Sequence, residues 1–256
     1  EFEQVLFECL ESLLIDGEVL PVICCGMVGA KQGWLDAGYS TVPHNPLQYQ
    51  MPVAVPTKHR QLWVWVLPGL CQLTPADVMR GEETQIAGVL CQHKEFSGVL
   101  CLPGTHSKWA LCQAGEVASF STFMTGELFD LLSKQSVLRH SVIDDQWSDD
   151  AFKQGVQDAI NNPAQLTSEL FSVRARDILG NGATHFGKAR LSGLLIGSEL
   201  EGTREWWQGK KVILLGDSLL QSLYKLAMEQ VNIDVVLLDG TQMTLAGLTA
   251  AYEQQG

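Results

Sequence analysis

The sequence is short of positive charge and contains no run of Lys or Arg. It has 17 Lys and Arg residues against 29 Asp and Glu residues, which gives a formal net charge of −12. A surface of that sign repels phosphate-rich partners, so nucleic acid and anionic membrane are not predicted to bind. The sequence also lacks an apolar run of the roughly 18 residues that a membrane-spanning helix needs. Its acidic start, residues 1–4, lacks the basic residues of a signal peptide, and we expect a cytoplasmic protein.

Paired metal-binding or redox cysteines are missing as well. None of the seven cysteines forms a C-x-x-C pair, so zinc and thiol-redox motifs have no support. Several cysteines lie in apolar runs and are typical of buried thiols in a reducing compartment. Hydrophobic residues make up 46% of the 256 positions, which is enough core for one large domain or two medium ones.

Residues 78–88 contain the first candidate catalytic or metal-binding side chains. Glu82 and Glu83 follow Gly81 and precede an apolar segment. Gly81 allows a sharp turn, and acidic residues are favoured in a first helical turn. Neighbours on a helix do not share a face, so one carboxylate can face a cleft while the other faces solvent or a cation. Such a carboxylate can accept a proton from an alcohol or hold a metal. The pair can also simply decorate a helix start.

A glycine-rich turn follows the first predicted strand. Residues 2–15 have helical apolar spacing, and residues 21–25 form a short apolar run. Ligands bind to open α/β sheets at turns after buried strands, and an aromatic ring with polar neighbours suits a sugar-like molecule. A plain strand-to-loop turn is the alternative. The candidate binding residues are Gly26, Met27, Gly29, Gln32 and Trp34.

The next stretch has few periodic signals. Residues 38–60 contain four prolines, which indicates an ordered excursion or a small cap. Residues 61–67 predict a strand that Pro68 and Gly69 close, and residues 78–88 then lead into a helix.

A predicted hairpin suits a phosphate group. Residues 98–102 and 107–112 predict two strands around a tight turn at 103–106. Backbone N–H groups, a hydroxyl and a cation would meet at its tip, and these are the groups that bind phosphate. A third strand over 116–122 and a helix from residue 123 follow. The candidate phosphate-binding residues are Gly104, Thr105, His106 and Lys108.

The C-terminal region predicts a β-α-β-α unit with a parallel strand pair. Its strands cover residues 211–215 and 233–238, and each is followed by a helical pattern. Gly216, Asp217 and Ser218 would meet a helix N-terminus, where a nucleotide's polar edge or phosphate can bind. The small residues of the apolar helix over 191–200 suit either close helix packing or a nearby nucleotide.

Together these motifs resemble the 2-keto-3-deoxygalactonokinase family of the actin/hexokinase/Hsp70 ATPase superfamily. Two of them are specific to that family: Arg-Gly-Glu-Glu-Thr-Gln at residues 80–85 and Pro-Gly-Thr-His-Ser-Lys-Trp at residues 103–109. Three others agree with it in order and spacing, at residues 25–34, 124–128 and 191–197.

The resemblance implies a two-lobed actin-like ATPase (ribonuclease H-like) fold with the active site in the cleft between the lobes. Residues 1–96 would be the sugar-acid-binding lobe, and residues 97–256 the nucleotide-binding lobe. By analogy with related sugar kinases, Glu82 is implied as the catalytic base, with Glu83 left open. Gly104 and Thr105 correspond to a phosphate loop, and Gly216, Asp217 and Ser218 correspond to an adenosine loop. Arg80 would bind the carboxylate of the substrate.

One family feature has no counterpart here. Members begin with a strand, a glycine turn and a second strand that hold a phosphate loop and a magnesium-linked Asp, and nothing of that kind precedes Phe2. We therefore expect the N-terminal hairpin to be missing and the first lobe to be incomplete at its N-terminus.

The function implied by the resemblance is transfer of phosphate from ATP, with Mg²⁺, to the terminal 6-hydroxyl of 2-dehydro-3-deoxy-D-galactonate. A kinase of another sugar acid, a non-catalytic ATP-binding sensor and a hydrolase of the same superfamily remain alternatives. Small molecules are the expected partners, with a homodimer possible. The sequence leaves the metal ligands and the exact epimer of the sugar acid open.

Overall fold

The computed structural model describes residues 1–48, 52–142, 147–180 and 186–254, in which helices and strands alternate along the chain. The predicted α/β class is therefore confirmed. Contacts divide the chain into two units. Unit 1 consists of Glu1–Ser97, Cys112–Phe120 and Gly240–Gly256, and unit 2 consists of Gly98–Leu111 and Ser121–Asp239. Within the described residues, no helix is long and apolar enough to cross a membrane.

The first sheet of unit 1 is built around a buried central strand. Helix α1 (Phe2–Leu10) covers apolar residues of this sheet, and a short 3₁₀ turn extends it to Leu13. The central strand pairs in parallel with β1 and antiparallel with β3. The predicted first helix and the strands near 21–25 and 61–67 are thus confirmed. The strands are β1 (Leu20–Cys24), β3 (Val53–Val55) and β4 (Leu62–Val66).

A second small sheet in unit 1 was outside the predicted elements. It contains β2 (Tyr39–Thr41), β5 (Gly69–Leu73) and β6 (Ala76–Met79), in the order β2-β5-β6. Strand β4 ends at Val66, ahead of Pro68 and Gly69, as predicted, but Gly69 also begins β5, which was not predicted. A Cβ there would overlap the Met79 carbonyl, so this glycine permits close strand pairing. Strand β6 buries only Met79, which explains its weak apolar pattern.

Two helices of unit 1 approach each other closely through glycine. Helix α2 (Glu82–Gln92) packs against the C-terminal helix α9 (Gly240–Glu253). A Cβ at Gly88 would overlap the backbone of Met243, and one at Gly247 would overlap the Thr84 carbonyl. This contact places the C-terminal helix with residues 1–97 and not with the residues that directly precede it.

Unit 2 contributes to a five-stranded sheet with the order β11-β10-β7-β8-β9. Strand β10 pairs in parallel with both β7 and β11, which confirms the predicted β-α-β arrangement. The predicted hairpin over 98–112 and the strand after it are also present. The strands are β7 (Gly98–Leu102), β8 (Ser107–Gln113), β9 (Glu116–Phe123), β10 (Val212–Gly216) and β11 (Val235–Asp239).

Helices of unit 2 pack around a long buried helix, α6. Cβ atoms at Gly193 and Gly197 would overlap carbonyls of α4, so these glycines serve close helix packing, one of the two predicted alternatives. The Asp217 carboxylate caps α8 by accepting the N–H groups of Leu219 and Leu220. The helices are α3 (Thr125–Lys134), α4 (Asp149–Asn161), α5 (Leu166–Leu179), α6 (Gly187–Gly202), α7 (Arg204–Trp207) and α8 (Ser218–Glu229).

Candidate active site

The turn that begins α2 depends on two glycines. Gly81 has a φ of +102° and Gly26 has a φ of +80°, values that residues with a Cβ rarely adopt. A Cβ built on Gly81 would lie 3.3 Å from the Cα of Gly26. The glycine turn after β1 and the start of α2 are therefore in contact, although they are more than fifty residues apart in sequence.

The two adjacent glutamates lie in different environments. An oxygen of the Glu82 carboxylate accepts the Arg80 N–H at 2.9 Å, and an oxygen of the Glu83 carboxylate accepts the Gly81 N–H at 2.7 Å. Glu82 is half-buried, whereas Glu83 is only 2% exposed. Of the two carboxylates, Glu82 is therefore the one that a ligand can reach without a rearrangement of the turn.

Glu83 has an unusual protonation equilibrium. Burial raises the pKa of its carboxyl from 4.5 to about 7, and the negative charge of Glu82 adds to the rise. Hydrogen bonds from the Gly81 N–H and the Thr84 hydroxyl lower the pKa, but they do not offset burial. Burial also raises the pKa of the neighbouring Cys25 thiol to about 11. Perturbed carboxyl groups are concentrated at functional sites, although structural groups also show such shifts.

Arg80 brings a positive charge to the same place. Its Nη2 donates to the Gly38 carbonyl at 2.9 Å, and its guanidinium lies over the Tyr39 ring at 4.3 Å from the centroid. Among the described residues, its buried Nε and Nη1 atoms have no hydrogen-bond partner. Buried N–H groups of a guanidinium are stabilised by an anion, and a carboxylate matches their geometry.

The predicted sugar loop is tightly folded. The N–H groups of Trp34 and Ala37 donate to carbonyls of Val28 and Gly29, and Gly29 packs so closely that a Cβ would lie 2.9 Å from Arg80 Nη1. Gln32 is exposed. Met27 is also exposed, at 70%. The Trp34 ring is half-buried, packs against the unit 1 core and stacks on Phe2 at 6.4 Å. Trp34 thus supports the loop, while Met27 and Gln32 are free to meet a ligand.

In unit 2, the ends of two parallel strands bring the predicted phosphate residues together. Strands β7 and β10 are parallel neighbours, so their C-terminal ends lie at one edge of the sheet. The chain leaves β7 toward β8 on one side and leaves β10 toward β11 on the other. A crevice at such a topological switch point is the usual ligand site of an open α/β sheet. Here it is flanked by Pro103 and Gly216, since a Cβ on Gly216 would lie 3.8 Å from Pro103 Cδ.

The turn between β7 and β8 is fixed by the start of α3. The Glu127 N–H donates to the Thr105 carbonyl at 3.0 Å, and the His106 Nε2 lies 2.5 Å from a Glu127 carboxylate oxygen. Gly126 packs on the turn so closely that a Cβ would overlap the Gly104 carbonyl. The motif at residues 124–128 therefore holds the turn between β7 and β8 in place.

Lys108 differs from the expectation for a lone lysine on a strand, which is a solvated side chain. It is only 4% exposed, and its Nζ donates to the His106 carbonyl at 3.1 Å. This burial places a positive charge beside the turn. Thr105 and His106, by contrast, are exposed at the tip.

Two adjoining cavities open at this edge of unit 2. The smaller, of about 390 Å³, has a mostly apolar lining, and the larger, of about 710 Å³, has a more polar one. Both include Gly104, Gly126 and Leu220, so they meet at the phosphate turn. The predicted residues Thr105 and His106 line the larger cavity. The smaller one is lined in part by Thr125 of the motif at 124–128 and by Ser192, a small residue of the helix that the sequence associated with either close packing or a nearby nucleotide. Other lining residues were not singled out by the sequence, among them Trp147, Lys188 and Tyr224.

The position of Asp217 limits phosphate binding by the predicted loop at residues 216–218. Because its carboxylate already accepts two N–H groups of the first turn of α8, those groups do not point freely at a phosphate. Gly216 borders the crevice, and Leu219 and Leu220 line the smaller cavity. The loop therefore contributes apolar surface through the residues that follow it.

For a metal ion, the described residues offer no group of three or more His, Cys, Asp or Glu side chains. Mg²⁺ is commonly held by one or two carboxylates together with substrate phosphates and water, so it does not need such a group. Carboxylates suitable for that task, Glu127 and Asp130, line the larger cavity.

Comparisons with known proteins agree on one family. The model of the family described as 2-keto-3-deoxy-galactonokinase matches residues 1–251. A Rhizobium meliloti (strain 1021) protein named "Probable 2-dehydro-3-deoxygalactonokinase DgoK1" is 41% identical over 91% of this chain and 78% of its own length. The Escherichia coli (strain K12) 2-dehydro-3-deoxygalactonokinase is 34% identical over 90% of this chain and 78% of its own length. A Sinorhizobium meliloti crystal structure of a "putative 2-dehydro-3-deoxygalactonokinase protein" superposes with a TM-score of 0.90 at 38% identity, covering 99% of this chain and 84% of that one.

Proposed function

The chain belongs to the 2-keto-3-deoxy-galactonokinase family, and from this premise we propose how its two units serve the kinase reaction. It is a carbohydrate kinase that phosphorylates 2-dehydro-3-deoxy-D-galactonate in galactonate catabolism. The phosphoryl group goes from ATP to the terminal 6-hydroxyl, giving 2-dehydro-3-deoxy-6-phosphogalactonate. The family relationship also supports the two-lobed actin-like fold, in which unit 1 serves the sugar acid and unit 2 serves the nucleotide. Relative to the predicted division at residue 96, residues 112–120 and the C-terminal helix α9 group with unit 1.

One observation carries the nucleotide assignment: an apolar cavity and a phosphate-type turn meet at the switch point of the unit 2 sheet. A volume of about 390 Å³ lies within the range of small-molecule sites, and its apolar lining suits a purine ring. Gly104, where a Cβ would find no described atom closer than 3.9 Å, leaves room for phosphate oxygens beside the backbone. Thr105, His106 and Lys108 supply a hydroxyl, an imidazole and an ammonium beside that space.

The sugar acid is assigned to unit 1. Arg80 offers the Nε and Nη1 groups of its guanidinium, which have no partner among the described residues, for the carboxylate. The turn from Gly26 to Gly29, together with Gln32, offers backbone and side-chain polar groups for hydroxyls. Glu82 accepts the proton of the attacking hydroxyl, because it is the accessible carboxylate of the pair. Glu83, which is buried, holds the Gly81 N–H and so keeps the turn in shape.

Phosphoryl transfer requires mainly that the protein position the reactants and neutralise charge. Lys108 fixes the turn through the His106 carbonyl and adds a positive charge beside the phosphates. Mg²⁺ would be held by ATP and by carboxylates such as Glu127 and Asp130, where it would neutralise phosphate charge. Exclusion of water from the assembled site would suppress hydrolysis of ATP.

Substitution of Arg80 tests the sugar-acid assignment. Arg80→Met should raise the KM for 2-dehydro-3-deoxygalactonate on the order of 10- to 100-fold, since a charged hydrogen bond to the carboxylate is lost, while the KM for ATP stays unchanged. Initial rates at varied concentrations of each substrate measure this difference. Arg60→Met, which removes an exposed arginine of the same unit, is the matched control. An unchanged KM for the sugar acid in a folded Arg80→Met protein would contradict the assignment.

A further inference from the structure

Glu199 is a buried carboxylate that the proposed reaction does not use. It lies within α6 and is 1% exposed, and the buried Arg190 of the same helix pairs with Asp158 and Glu169. Instead, three donors converge on it. The Trp109 indole N–H donates to Oε1 at 2.6 Å, the Tyr224 hydroxyl donates to Oε2 at 2.8 Å, and the Thr125 hydroxyl also donates to Oε2. Hydrogen bonds are what make burial of such a group tolerable.

The three donors belong to the elements that border the proposed nucleotide site. Trp109 lies on β8, three residues after the tip of the phosphate turn. Thr125 begins α3 and directly precedes Gly126, which packs on the Gly104 carbonyl. Tyr224 lies on α8 and lines the smaller cavity, as Thr125 does. One carboxylate therefore connects the strand after the turn, the helix that packs on the turn, and the helix beside the cavity.

The network extends to the strand residue next to the turn. The Ser107 Oγ lies 2.9 Å from the Tyr224 hydroxyl. Because the Tyr224 hydrogen is donated to Glu199, the Ser107 hydroxyl is the donor in this bond. Burial raises the pKa of the Glu199 carboxyl, while hydrogen bonds from Thr125, Trp109 and Tyr224 lower it. The carboxylate thus orients three side chains directly and Ser107 through Tyr224. Its removal would leave the donors of Trp109, Thr125 and Tyr224 without this acceptor in an apolar interior.

We propose that Glu199 is a positioning residue for ATP, which aligns the phosphate turn at residues 103–106 with the apolar nucleoside cavity. It acts through Trp109, Thr125 and Tyr224 and contacts neither substrate. The proposal rests on the nucleotide site assigned above. It differs from a merely structural role in its consequence: loss of Glu199 should weaken recognition of the phosphates far more than recognition of adenosine.

The test compares binding of ATP and of adenosine to the folded protein by titration calorimetry. Glu199→Leu should lower ATP affinity at least about 10-fold and kcat on the order of 10²-fold, because a small misplacement of a phosphate-binding group is costly to transfer. Adenosine affinity should change by less than about 3-fold, because the cavity walls keep their apolar contacts. Glu201→Gln, on the same helix, removes the charge of a residue paired with Arg204 and should leave both affinities unchanged.

Two milder variants keep the test decisive if Glu199→Leu does not fold. Glu199→Gln retains an oxygen for Trp109 and an N–H₂ group for the two hydroxyls, so it should keep ATP affinity within about 3-fold of wild type. Tyr224→Phe removes one donor without removing the ring, and it should lower ATP affinity more than adenosine affinity. Equal losses for the two ligands, or no loss in either Glu199→Leu or Tyr224→Phe, would overturn the positioning role.

The Gly104 variant distinguishes a wrong role for Glu199 from a wrong location of the nucleotide site. If the site is elsewhere, a side chain added at Gly104 will not disturb ATP binding. If only the role of Glu199 is wrong, the Gly104 variant will still weaken ATP binding while the Glu199 variants affect both ligands equally or neither.

Discussion

Replacing Glu82 with Gln should lower kcat on the order of 10²–10⁴-fold with little change in ATP affinity, because the amide keeps the shape of the side chain but cannot accept a proton. Glu82 is the accessible member of the pair and lies next to the Gly26 turn through Gly81. Steady-state rates at saturating ATP and sugar acid measure kcat, and ADP titration measures nucleotide affinity.

Glu83→Gln is the matched control, and its main effect should be on stability. Since the pKa of Glu83 is raised from 4.5 to about 7, the protonated carboxyl favours the folded state. That contribution is complete below pH 4.5 and is lost as the pH rises through about 7. The free energy of unfolding of Glu83→Gln, measured in urea and compared with that of wild type, should therefore be more favourable at pH 8 than at pH 5. A large loss of kcat in Glu83→Gln, without one in Glu82→Gln, would show that Glu83 is the catalytic base.

A side chain at Gly104 should block the nucleotide without disturbing the fold. A Cβ there would meet only the His106 carbonyl at 3.9 Å among the described atoms, and Gly104 lines both cavities. Gly104→Val should thus unfold at the temperature of wild type, yet bind ATP at least about 10-fold more weakly, because the added methyl groups occupy the space of the phosphates. Calorimetric titration and thermal unfolding measure the two quantities.

Gly126→Ala is the comparison variant, in which stability should also change. Its Cβ would overlap the Gly104 carbonyl, so the turn must shift and stability should fall together with ATP affinity. If Gly104→Val binds ATP as wild type does, the phosphates do not lie at this turn.

Local patterns in the sequence were sufficient for the elements that hold the site. The apolar runs at 98–102 and 211–215 and the glycine turns after them predict two strands, and the structure has them as β7 and β10. The parallel pairing of these two strands, which brings their ends together, was not predicted. Strands β5 and β6 were not predictable in the same way, because β6 buries a single residue and the glycine that begins β5 is also a common strand terminator.

Long-range contacts account for what the sequence did not reveal. Glu199 and Trp109 are 90 positions apart, and a glutamate in an apolar helix gives no sign of the donors that surround it. The burial of Lys108 likewise depends on the fold of its own turn rather than on strand alternation. The choice between Glu82 and Glu83 requires their exposure, which adjacent identical residues do not disclose in a sequence.

The most direct measurement of the central claim is ADP production by the purified protein with and without 2-dehydro-3-deoxygalactonate, with the product identified by ³¹P NMR. The account predicts ADP only when the sugar acid is present, one equivalent of a 6-phosphate ester per ADP, and no comparable turnover of glycerol or glucose. Equal ADP production without the acid would indicate a hydrolase, and ATP binding without ADP production would indicate a sensor. Either result would contradict the assignment of sugar-acid phosphorylation to these residues.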